Sequence, residues 1–388
     1  MGRSMDTGAL DRVLTAAVER GAVPHIAAVA ADRDGVIYEG GAGPRTVGES
    51  GTVDGGTQFR IMSMTKMVAT TAALQLREAG KLDFDTPVAD ILPEFADVQV
   101  LDGFDGDTPR LRAPKTPATV RNLVTHTSGL GYWFFEADIA RYEKVTGIPN
   151  VLGGAGAFAA PMVHDPGERF TYGINTDWLG KVVEAVAGAG LDVVIKENIT
   201  GPLGMDDTMF LLDGRRTANA VTVHVPGETG GWSSAGELLP QQPDWWAGGH
   251  GLYSTPRDYL RFQRALLRDG ELDGERILRP ETVEEAFSNQ IGALDFPAEI
   301  PTTDPPITAE FNAGPGWKWG YGLLLNTADV PGGRRAGSGA WAGLFNSHFW
   351  IDRTTGVCAS VYTNSLPFVL PETFAVYGEF EQALYASI

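Results

Sequence analysis

The strand-like segments of this chain sit at its two ends, and that separation limits the folds open to it more than any other feature. Near the N-terminus, "HIAAVAADRDGVIYEGGAG" (residues 25–43) holds two apolar, β-prone runs on either side of a turn at Asp32 to Gly35. Near the C-terminus, "WGYGLLLN", "LFNSHFWID" and "GVCASVYTN" have the same character, the last two joined by the turn-prone "RTTG". Paired together, these runs make one antiparallel sheet with strands drawn from both ends. The expected class is therefore α+β, an antiparallel sheet flanked by helices with a further helical part inserted.

The helical patterns fill that scheme. Leu10, Val13, Leu14, Ala17 and Val18 recur at helical spacing. Acidic residues and the lack of a long apolar core distinguish this segment from a secretory signal, so it reads as a surface helix and the default compartment is the cytoplasm. A second helix runs from Ser63 to Ala79, and Gly80 fits the position just past its C-terminus. Apart from Lys66 it carries no charge before Arg77, which implies burial on most sides.

A mostly helical subdomain is expected over 105–222, beside an α/β domain built from 1–104 and 223–388, with the active site in the cleft between them. The stretch "LDGFDGDTPRLRAPKTPAT" reads as irregular, and Asp102, Asp105 and Asp107 lack the downstream Glu of a calcium loop. Residues 223–249 read as a Gly-, Pro- and Trp-rich loop, long enough for a functional wall or lid. "FPAEIPTTDPPITAEFNAGPG" is a second irregular stretch.

Composition removes several function classes. Against 30 Lys and Arg stand 49 Asp and Glu, a formal charge of −19 that disfavours nucleic acid or an anionic membrane as partner. No uncharged apolar run approaches the ~18 residues of a membrane span. The single cysteine, Cys358, lies in an apolar run and reads as a core residue. No metal or organic cofactor is indicated, and the expected partner is a small molecule.

The segment "FRIMSMTKMVATTAAL" (59–74) carries the chemistry. On a helix, Ser63 and Lys66 share a face. A serine hydroxyl needs a base within hydrogen-bond reach, and a lysine serves only when neutral. Burial among Met62, Met67 and other apolar groups disfavours the ammonium form, and a fall toward pKa ~7–8 would make it effective. A helix N-terminus at Ser63 would add positive potential and free N–H groups for an oxyanion. Tyr172, between a Pro-Gly turn and a helix, could project into a cleft. Gly337, Gly339 and Gly343 allow close backbone approach to a ligand. Neither Gly-x-Ser-x-Gly nor His-Glu-x-x-His occurs. His126 reads as a buried structural histidine, while a histidine base for Ser63 stays open without a local signature.

In order along the chain, "SMTK", "LVTHTSGL", "PGERFTY", "GPLGMDDTMF", "GGHGLYSTPRDYLRF" and "WAGLFNSHFWID" resemble the serine β-lactamase and penicillin-binding-protein superfamily. Within it, the chain is similar to the family VIII carboxylesterases. The resemblance implies a β-lactamase/transpeptidase-like fold, Ser63 as acyl-enzyme nucleophile, Lys66 as its base and Tyr172 as proton shuttle to the leaving group. Backbone N–H groups of Ser63 and Leu344 would form the oxyanion hole. Trp341, Ala342 and Gly343 stand where β-lactamases carry Lys-Thr-Gly.

Two departures bear on substrate. Tyr-Ser-Asn of the class C enzymes is Tyr172-Gly173-Ile174, so the side-chain amide is missing unless Asn175 replaces it. Trp341 replaces the lysine that pairs an antibiotic carboxylate, and an indole cannot pair an anion. Neutral short-chain esters are then the expected substrates. Hydrolysis of β-lactams or amides, acyl transfer on the same residues, and a non-catalytic binding module remain the alternatives. Aromatic residues of an apolar substrate pocket are sought first at Tyr132 and Trp341, then elsewhere in "GYWFF" and at Trp232, Trp245, Trp246, Trp317 and Trp319.

Overall fold

The structure, a computed structural model, describes residues 7–236, 238–239 and 243–388. At its centre is a seven-stranded antiparallel sheet. Its strands are β1 (Ile26–Asp32), β2 (Val36–Ala42), β3 (Trp317–Trp319), β4 (Leu324–Asn326), β5 (Gly339–Gly343), β6 (Ser347–Asp352) and β7 (Val357–Tyr362). The spatial order is β3-β4-β5-β6-β7-β1-β2. The chain ends meet where β1 pairs with β7, Ala28 opposite Val361.

The period-2 alternation of β1 decides how the sheet is clothed. Ile26, Ala28 and Ala30 face one core, shared with α1 (Thr7–Glu19) and the last helix, Pro371–Ser387, through Leu10, Leu14, Phe380 and Leu384. Ala27, Val29 and Ala31 face the other, larger core. There α2 (Thr65–Glu78) and the helix Pro256–Leu267 pack, the latter pinned by Gln263, whose Nε2 donates to the carbonyls of Trp350 and Ala359. Cys358 is fully buried in that core. Each leucine, isoleucine, valine or phenylalanine so withdrawn from water contributes about 1.5–3 kcal/mol, and each alanine methyl less.

Helix α2 starts at Thr65 rather than Ser63, because one 3-10 turn, Met62–Met64, precedes it. Every residue from Thr65 to Leu74 is buried, and Gly80 closes the C-terminus at φ +67°. Against it packs α3 (Asn175–Ala187), from the largely helical stretch that also contains Ala137–Thr146.

All three stretches expected to be irregular hold a hairpin, the third being Glu299–Ile300 with Phe311–Asn312. Val100–Asp105 pairs with Thr108–Arg112, and Val223–Pro226 with Trp232–Gly236. Both strand pairs are rich in polar and small residues, so backbone pairing forms them without the apolar alternation that marks a strand. Asp102, Asp105 and Asp107 each lie within 4 Å of an arginine: Arg112, Arg110 and Arg141. Glu237 and residues 240–242 of the expected lid lie outside the described residues. Among the described residues, no helix is long and apolar enough to cross a membrane.

Candidate active site

The 3-10 turn holds Ser63 at the mouth of α2, and the residue before it is strained: Met62 has φ +47°, unfavourable for a side chain with a Cβ. Strand β5 holds this turn in place. A Cβ on Gly343 would stand 2.3 Å from the Ile61 carbonyl oxygen, so only glycine lets the strand come so close. The close approach expected of Gly343 is thus to the protein's own backbone, not to a ligand. Leu344, the next residue, lines one cavity with Ser63, Tyr172, Trp341 and Ala342.

Lys66 lies one helical turn from Ser63 and is fully buried. Its Nζ is 3.1 Å from Ser63 Oγ, 2.9 Å from the Tyr132 hydroxyl and 2.8 Å from the Gly249 carbonyl oxygen. Burial pulls its pKa down, and the buried carboxylate of Asp177 partly opposes that. A neutral amine satisfies all three contacts: two N–H groups serve Tyr132 and Gly249, and the lone pair accepts the Ser63 proton. The arrangement can therefore deprotonate the serine.

Tyr172 leads into α3, and its hydroxyl accepts a hydrogen bond from Trp341 Nε1 at 3.1 Å. Burial pushes its pKa up, so the phenol keeps its proton at neutral pH. Such a group can relay a proton but is a poor base. His126 sits beneath it, ring centroids 4.9 Å apart, and burial together with the nearby Lys66 holds its pKa well below the usual histidine range. It is a packed, neutral imidazole.

The residues considered for the substrate pocket divide. Trp341 and Ala342 are in the cavity wall, while Gly343 is packed behind it. Tyr132 is only 3% exposed and faces Lys66 instead of the cavity. Its neighbours Phe134 and Phe135 do line the cavity, as does Trp317. Trp319 is a core residue edge-on to Trp341 at 4.6 Å, and Trp232 lies at the surface, donating to the Gly21 carbonyl. Trp245 and Trp246 border other hollows. Asn175 does not supply the missing amide: fully buried, it donates to the Leu130 carbonyl and accepts from Ser128.

Sequence reasoning missed part of the wall and of the cluster. Phe296 and Phe311 come from the stretch read as irregular, where a small hairpin, Glu299–Ile300 with Phe311–Asn312, brings them to the cavity of about 220 Å³. Aromatic residues in so long a Pro-rich excursion were the available signal. Asp177 was also missed. It is fully buried and accepts a hydrogen bond from the Gly249 N–H, and no local signal marked it, since its first-turn neighbours Asn175 and Thr176 are polar as well.

A family model described as Beta-lactamase matches residues 10–382. The chain belongs to the beta-lactamase family. Among its relatives within that family, monacolin J acid methylbutanoyltransferase of Aspergillus terreus is 32% identical over 85% of this chain and 82% of its own. Lovastatin esterase of Penicillium rubens is 31% identical over 93% of both chains. Of solved structures, a mutant of simvastatin synthase (LovD) from Aspergillus terreus superposes with TM-score 0.83 at 29% identity, covering 97% of this chain and 96% of its own. EstCE1, a hydrolase with promiscuous acyltransferase activity, shares the fold at TM-score 0.77 and 23% identity, over 97% and 98% of the two chains. The β-lactamase/transpeptidase-like fold expected from the motifs is the one observed.

Proposed function

We propose that this beta-lactamase-family enzyme is a serine carboxylesterase and acyltransferase that takes neutral, apolar esters through an acyl-Ser63 intermediate, in the manner of the family VIII esterases. The observation that carries this reading is the buried Lys66 amine 3.1 Å from Ser63 Oγ, with no polar face to escape to. Ser63 Oγ attacks the ester carbonyl carbon as its proton passes to Lys66 Nζ. The oxyanion is held by the N–H groups of Ser63 and Leu344, each worth ~3–4 kcal/mol. Collapse breaks the bond to the alkoxide, which takes a proton through the Tyr172 hydroxyl. Water or a second alcohol then attacks the acyl group, its proton following the same route back, and Ser63 is freed.

The cavity supports neutral acyl groups. Its walls are aromatic, and the Trp341 indole N–H is already engaged by Tyr172, so no group at that position pairs a carboxylate. Penicillins are accordingly poor substrates. The statin esterase and acyltransferase relatives favour both fates of the acyl group, and an apolar, aromatic lining favours an alcohol with an apolar body over water as acceptor. Acidic charge and a lone buried thiol are in keeping with work in the cytoplasm.

The test is p-nitrophenyl butyrate turnover, with a fluorophosphonate adduct on Ser63 read by mass. Ser63→Ala is expected to abolish both while remaining folded; retained turnover would overturn the reading. Adding a primary alcohol and measuring new ester against free acid assigns the share of transfer, and kcat/KM for nitrocefin should fall far below that for the simple ester.

A further inference from the structure

Asp177 is a carboxylate with no exposed surface, set in the first turn of α3, where the helix dipole favours an anion. Its Oδ1 accepts from the Gly249 N–H at 2.8 Å, and the carbonyl of the same glycine accepts from Lys66 Nζ at 2.8 Å. Gly249 thus links the carboxylate to the amine through its own peptide groups, and the Tyr132 hydroxyl, 2.9 Å from Nζ, faces the same carboxylate. A Cβ there would lie 2.4 Å from Asp177 Oδ2, so the approach requires glycine. Oδ2 has no hydrogen-bond partner, and His250 Nδ1 is 3.6 Å from Oδ1, too far for one. The carboxylate is therefore not consumed by a structural ion pair.

We propose that Asp177 is a positioning residue for the acylation step: through Gly249 it fixes Lys66 against Ser63, and its charge keeps the buried amine basic enough to take the serine proton. This rests on the acyl-enzyme reading above. Desolvation alone would make Lys66 easy to neutralise but feeble as a base, since proton abstraction weakens as the acceptor's pKa falls. A nearby negative charge restores that strength without protonating the amine at working pH. The other groups facing the pair do not compete for the role. Tyr132 and Tyr172 keep their protons, His126 and His250 are held neutral by burial, and Arg60, near His250, is a cation.

Asp177→Asn keeps an oxygen for the Gly249 N–H and removes the charge. The rising limb of kcat/KM against pH is expected to move acidward by about one unit, with the plateau lower by up to about tenfold and KM little changed. A merely structural side chain would scale the profile without moving the limb. Gly249→Ala, which forces the peptide from the carboxylate but keeps the charge, is expected to lower kcat with the limb in place. A limb unmoved in Asp177→Asn, beside a wild type that labels at Ser63, overturns this inference alone. Failure of the wild type to label removes the acyl-enzyme reading and this inference with it. Should Asp177→Asn not fold, unchanged kcat in Gly249→Ala overturns the positioning role.

Discussion

Two buried pairs of opposite charge lie on opposite faces of the sheet, and they are built on different terms. On the side of the terminal helices, Arg334 meets Glu381 in a fork, Nε to Oε1 at 2.8 Å and Nη2 to Oε2 at 2.6 Å, with Arg334 N–H adding a third bond. Tyr377 accepts a further bond from the guanidinium, and the arginine pKa is pushed up by these partners. On the other side, Lys66 and Asp177 are not in contact; Gly249 links them through its peptide groups, and burial drives both toward the neutral state, lysine down and aspartate up. Bidentate contact between the partners locks charge in place, whereas geometry that separates them leaves the proton movable. The first arrangement suits a strut and the second a reaction centre.

Removing one member of each pair should give opposite outcomes. The largest effect is expected from Lys66→Met, measured at the activity optimum on the alkaline side of the pKa of about 7 to which burial lowers the amine. Losing the base should cut kcat by about 10³- to 10⁴-fold, equivalent to about 4–5.5 kcal/mol, while the melting temperature changes little, because an apolar side chain of similar length replaces a mostly neutral amine. A variant that unfolds while its folded fraction stays active would reverse the comparison.

Glu381→Ala is expected to do the converse. It strands a guanidinium that is 5% exposed, an uncompensated charge that costs about 3–5 kcal/mol of stability. Chemical denaturation should show a lower midpoint, with kcat of the folded enzyme retained. Loss of activity at full stability would mean that Arg334, which reaches the cavity wall, is doing chemistry rather than bracing the last helix against the sheet.

The same contrast explains what could be read from the sequence. Five of the seven strands were visible, because they alternate or run continuously apolar and turn residues separate them; the short Trp317–Trp319 and the Gly-rich Gly339–Gly343 carried no such pattern, and the pairing order was not legible. Ser63 and Lys66 could be placed side by side on paper because one helical turn relates them. Tyr132, Gly249 and Asp177 come from three distant segments, and no local periodicity links them; only the packing of α3 on α2 brings them to one amine. The hairpins of residues 100–112 and 223–236 failed for a different reason: only Val100, Leu101 and Val223 are buried apolar residues and the rest is polar or only partly buried, so too little alternation marked a strand.

The smallest effect should come from a neutral member of the reaction centre. Trp341 Nε1 donates to the Tyr172 hydroxyl, which leaves that oxygen's own proton free to point toward the leaving group. Trp341→Phe keeps an aromatic wall but deletes the donor, so the phenol can rotate and its oxygen loses one neutral hydrogen bond, worth about 0.5–1.5 kcal/mol. The expected loss in kcat is therefore at most about tenfold, with KM for an apolar ester nearly unchanged because the ring still fills its place. Burial also keeps Tyr172 protonated beyond the usual phenol range, so wild type should show a rising limb and then a plateau reaching past pH ~10. A falling limb below that point, steepened by Trp341→Phe, would transfer the titrating role from Lys66 to Tyr172 and erase the distinction between the movable and the locked pair.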